Sequence, residues 1–151
     1  MANSQAMCTS FKGEILKGIH ALGTSVVRAG TGADTIKAAL YLASASRGAA
    51  DTVFNSTGEV TGSGYTTGGV AVTNATAPTT SGTTGYWTPS ASIVYTSVTL
   101  ASSFDAVLLY NSTQGDKAIS VHTFTAQTVT AGTLTITMPA NDASNALLRI
   151  A

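Results

Sequence analysis

The spacing of apolar residues changes once along the chain. Near the start, Phe11, Ile15, Ile19 and Leu22 recur at i, i+4, i+8 and i+11 within FKGEILKGIHAL, with Leu16 beside them. That spacing puts them on one helical face. It predicts a helix over about residues 10–22, with Ser10 as N-cap and Gly23 as the stop. Gly13 and Gly18 each cost about 1 kcal/mol relative to alanine inside a helix, so this helix is expected to need a sheet to dock on. Residues 1–9 are small and polar and read as an N-terminal arm.

Beyond that point a two-residue period takes over. Ile36, Ala38, Leu40 and Leu42 alternate, which argues a strand. Asp34 as a cap, with Ile36, Ala39, Leu40 and Ala43 on one face, would argue a helix; the strand is preferred because everything downstream is β. GEVTGSGY, broken by Gly62 and Gly64, suggests an edge strand or bulge. Val70 and Val72 alternate. TAPTTSGTTGYWTPS reads mostly as loop, anchored by Tyr86 and Trp87. SIVYTSVTL is a strand with a break in phase near Thr96, and FDAVLLYN a near-continuous buried one. STQGD is a turn. KAISVHTFTAQTV and TAGTLTITMPA alternate again, and NALLRIA makes a last short strand. Turn signals every 8–12 residues indicate stacked or closed antiparallel sheets. The expected fold is all-β, a β-sandwich or jelly-roll-like antiparallel domain over residues 10–151 with one N-terminal α-helix.

Composition sharpens this picture. The chain has 151 residues, enough for one compact domain. Charged residues make up 9%, against about 25% in ordinary globular proteins. Thr, Ser, Asn and Gly supply the polarity, and residues 58–87 carry a single charge, Glu59. Threonine combines β propensity with a hydroxyl for water. Seven cations balance seven anions, and the cations are scattered, so the clustered basic residues that nucleic acid requires are missing. Weak self-repulsion favours packing against other proteins. The lone cysteine, Cys8, rules out an internal disulfide framework. No secretory leader is expected, and no apolar run reaches the ~18 residues that span a bilayer.

Catalytic patterns are missing. His20 and His122 stand apart, with no spacing that converges on a metal site. His20 reads as a helix C-terminal residue, His122 as a packed strand residue, and Cys8 as a small residue under the first helical turn. GTGADT lacks the third glycine and the Lys-Ser/Thr of a phosphate loop. Glu59 and Asp105 would have to face each other to act as a glycosidase pair. Asn55, Asn74 and Asn111 head glycosylation-like triplets but read as turn and strand-end residues. Tyr86 and Trp87 fit a core anchor or a subunit contact better than a sugar platform. No catalytic residue, metal ligand or cofactor site is predicted.

MANSQAMCTSFKGEILKGIHAL, IKAALYLASAS, GEVTGSGYTTGGVAV, FDAVLLYNST, DKAISVHTF and NDASNALLRIA together resemble, in the same order and over nearly the whole chain, a family of small virion proteins of tailed bacteriophages. The resemblance implies a structural subunit of the particle, made in the host cytoplasm and resident in the virion. It offers no catalytic set to carry over. The leading expectation is a capsid decoration (cement) protein, homo-oligomeric, partnered with the major capsid protein or other virion proteins, with no nucleic acid or membrane partner. The alternatives are a neck, tail or fibre subunit and, from another class, a carbohydrate-binding or hydrolytic module using Tyr86, Trp87, Glu59 and Asp105. Contacts are expected from the arm, from Phe11, Ile15 and Ile19, and from Tyr86 and Trp87.

Overall fold

A computed structural model describes residues 2–16, 18–20, 22 and 33–151. The chain is all-β, with one short α-helix among the described residues. In order come β1 (Ala6–Met7), α1 (Thr9–Leu16), β2 (Ile36–Leu42), β3 (Val70–Ala71), β4 (Thr79–Ser81), β5 (Thr84–Trp87), β6 (Ile93–Asn111), β7 (Lys117–Ile136) and β8 (Leu148–Ile150). They form two antiparallel sheets, a larger one ordered β1-β7-β6-β2-β3 and a smaller one ordered β4-β5-β8.

β2 is the strand its alternation called for, buried along Ala38–Tyr41 and paired to the buried stretch Phe104–Asn111 of β6. From Ala106 to Tyr110 both faces are covered, so that run carries no charged or strongly polar residue. β6 and β7 turn at Ser112–Gln114, where Asn111 Oδ1 accepts from the backbone N–H groups of Thr113 and Gln114. The expected break near Thr96 is present: Ser97 takes φ 54° and the β6–β7 register slips between Tyr95 and Val98.

Several expectations need correction. SIVYTSVTL and FDAVLLYN are one 19-residue strand, and its partner β7 runs for 20 residues. Repeated register slips between Tyr95 and Ala106 let a long ribbon bend instead of ending. His122, Thr123, Phe124 and Gln127 line one cavity together with Leu134–Met138. The stretch around Gly82, read as loop, folds into the β4–β5 hairpin. α1 spans Thr9–Leu16 and not 10–22, so Ser10 lies inside it and is not its N-cap; Ser10 Oγ is buried without a partner. The helix stops at Gly18, whose φ is 65°. Gly18 N–H donates to Ile15 O (2.9 Å) and Ile19 N–H to Glu14 O (3.1 Å). This is the Schellman closure, in which a left-handed glycine lets two orphan carbonyls be satisfied. Gly23, the expected stop, lies outside the described residues.

The arm is pinned. Asn3 donates to Leu42 O and Asp105 Oδ1, Ser4 N–H bonds Arg47 O, and Ala6–Met7 pair with Val121 and Ser120. Cys8 is fully buried beneath the first turn, and burial pushes its thiol up to about 12. The thiolate is the reactive form. A thiol reagent at pH 8 is therefore expected to leave Cys8 unlabelled in the folded protein and to label it fully in denaturant. Rapid labelling without denaturant would contradict the packing of residues 3–11.

Candidate functional site: an apolar cavity beneath the helix

The five residues expected to make contacts do not share one face. Four of them meet around one cavity. Phe11 and Ile15 come from α1, Tyr86 and Trp87 from β5, and β8 adds Leu148 and Ile150. The helix supplies Phe11 and Ile15 from positions four apart, one turn above the other. The small sheet supplies the rest because β5 lies between β4 and β8, with Tyr86 opposite Arg149 and Trp87 opposite Leu148. The cavity holds about 290 Å³, and its lining is almost wholly apolar. Ile150 at its rim is 50% exposed, an unusual position for a large aliphatic side chain. Ile19 is not among the lining residues: the helix has ended, and its backbone N–H closes the last turn.

Trp87 is 1% exposed, and its indole N–H donates to Thr76 O (2.8 Å). It is a wall of the cavity and offers no open face on which a sugar ring could stack. Glu59 and Asp105 do not form a pair. Glu59 Oε1 accepts from Tyr65 Oη and from Gly68 N–H, both at 2.7 Å, and burial raises its carboxyl above the usual range. Asp105 instead accepts from Asn3. Asn111 is fully buried at the end of β6 and Asn55 closes a turn onto Thr57 N–H, as strand-end and turn residues should.

Behind the apolar lining, and reaching it only through His20, lies a polar network with no local signature in the sequence. His20, read as a residue favoured by the helix dipole, lies past the helix end and packs edge-on against Phe11, with ring centroids 4.7 Å apart. Its Nε2–H donates to Glu14 Oε2 (2.7 Å), and its Nδ1 accepts from Asn111 Nδ2 (3.1 Å). Asn111 Nδ2 also donates to Asp34 Oδ2 (2.8 Å), and Gln114 Nε2 donates to Asp34 Oδ1 (2.9 Å). Lys117 Nζ completes the set at Glu14 Oε1 (2.8 Å). Burial alone would raise the Glu14 carboxyl, but the hydrogen bonds from Lys117 and His20 outweigh it and hold Glu14 below the usual carboxylate range. Burial lowers His20, against the pull of Glu14 and Asp34. His122 is pushed down to about 4 by burial, and its Nε2 shares a hydrogen bond with Ser120 Oγ (2.9 Å).

Among the described residues, several of the scarce charges serve internal ties. Arg47 bonds Asp51 and lies 4.6 Å over the Tyr41 ring, and Asp142 caps its own turn at Ser144 and Asn145. Among the described residues, no three His, Cys, Asp or Glu side chains come together as metal ligands. No helix among them is long and apolar enough to cross a membrane. What the arrangement can do is take up an apolar group, with neutral threonines around it. Compared with protein-family models, curated proteins and solved structures, the chain finds no match.

Proposed function

We propose that this is a structural protein of a bacteriophage particle, most simply a decoration subunit that docks on the capsid through the apolar cavity. The reading rests on the sequence resemblance together with one structural observation: Phe11, Ile15, Tyr86 and Trp87 surround a cavity whose rim carries the exposed Ile150. An opening of about 290 Å³ fits one aliphatic or aromatic side chain of a neighbouring subunit. Such an anchor, buried in a pocket and ringed by near-neutral contacts, is how a few residues carry most of an interface's energy. Repeated copies on a shell would add avidity without further contacts.

Position in the particle tests the proposal. Mild denaturant should separate heads from tails, and the protein is expected in the head fraction, released from intact heads as denaturant rises. Recovery only with tails would refute decoration and favour a neck or tail subunit.

A further inference from the structure

We propose that His20 is an acid-sensitive latch that holds the helix-bearing wall of the cavity against the large sheet. The inference concerns the regulation of the cavity proposed above as the docking site, and in that sense rests on that reading.

The geometry allows His20 one uncharged role. Its Nδ1 faces the amide nitrogen of Asn111 at 3.1 Å. That nitrogen is a donor, so Nδ1 must be an acceptor and the ring must carry its proton on Nε2, toward Glu14. Asn111 cannot turn over to suit a protonated ring. Its Oδ1 accepts from Thr113 and Gln114 N–H at 3.2 Å, and its second amide proton goes to Asp34. All its hydrogen-bonding positions are taken, and the residue is fully buried. A proton on Nδ1 therefore sets N–H against N–H and breaks the bond that ties residue 20 to the end of β6.

The groups facing the ring from each side are known among the described residues. Glu14 stands on α1, Asp34 ahead of β2, Lys117 at the start of β7, and Phe11 packs on its edge. Glu14 and Asp34 favour the charged ring; burial and Lys117 disfavour it, and the balance lies below the ordinary value of 6.5. The sign follows. A group whose folded pKa is depressed below its unfolded value stabilises the fold above the unfolded pKa, and that contribution is lost as pH falls through the folded one. The latch is closed near neutrality and releases as pH falls through the folded His20 value, which burial holds below the ordinary 6.5. Release frees His20 and Phe11 from the back of the cavity, while the β2–β6 pairing farther along, at Ala38–Leu40 with Val107–Leu109, stays shut.

Amide hydrogen exchange on the purified protein, read by NMR alongside the His20 ring resonances, decides it. After correction for the intrinsic pH dependence of exchange, Gly18 and Ile19 amides should lose at least tenfold of their protection as His20 protonates. Leu108 and Leu109 amides should not change in step. A His20→Phe variant, which keeps an aromatic ring there but cannot titrate, should lack the acid step. Unchanged Ile19 protection across the His20 titration overturns the latch, as does the same acid step in His20→Phe. If that variant fails to fold, the wild-type titration decides alone. Neither measurement depends on the particle, so failure of the latch and failure of the docking proposal are separately visible.

Discussion

Replacing Gly69 with alanine is expected to cost at least about 4 kcal/mol, the range reserved for severe core disruption, and to leave little folded protein. Gly69 has φ 68°, where an L side chain is strained. A methyl group there would overlap the backbone carbonyl of Ala38 and press on Ala39 Cα, 2.9 Å away. Neither neighbour can yield. Ala38 and Ala39 are fully buried in β2, and Ala38 O already accepts from Tyr95 Oη (2.8 Å). The same stretch is tied elsewhere, since Tyr110 Oη donates to Gly68 O (2.8 Å) and Gly68 N–H to Glu59. A displaced loop would thus strand buried polar groups as well as strain the backbone. Chemical denaturation with near-ultraviolet circular dichroism measures the loss. Gly82→Ala is the control, because an added methyl there meets nothing within 4 Å while the φ of 57° is similar. A Gly69→Ala protein no less stable than Gly82→Ala would contradict the packing of this loop on β2.

The strands were readable where one rule governed the residues. Ile36–Leu42 alternates and is sandwiched between β6 and β3, and the AVLLY of FDAVLLYN is apolar because both its faces are covered. Even the kink at Ser97 left a trace, as a lost beat in the alternation. Other features had no local signature. Thr79–Ser81 is exposed at all three positions, so β4 shows no inside and outside to read. The helical stripe Phe11–Leu22 continued in the sequence past the true stop, because Ile19 and Leu22 are apolar for reasons other than helix position. Gly18 was the available signal; an interior cost was assigned to it where a left-handed cap was needed.

The cavity was half legible. Aromatic and aliphatic residues named from two distant stretches did meet, but Leu148 and Ile150 were missed. A three-residue strand at the chain's end gives no hint of what it faces. The polar network behind the cavity was harder still. His20 and Asn111 are 91 positions apart, and each looks ordinary in its own segment. Only tertiary structure turns a histidine, a glutamate and an asparagine into one hydrogen-bonded unit.

On the proposed function, an uncharged, shaped surface does the docking, with the cavity as its anchor point. Ile150→Asp probes this with little risk to the fold, because the side chain is half exposed. The substitution removes the apolar rim and would bury an unpaired charge in the complex. Thr130→Asp adds the same charge on an exposed β7 position distant in sequence from the cavity lining. The measurement is binding of each purified protein to particles stripped of it, at matched folded concentration. Wild type and Thr130→Asp should bind alike, and Ile150→Asp should bind at least tenfold more weakly, a difference of about 1.4 kcal/mol. Equal binding of Ile150→Asp and wild type would contradict the account.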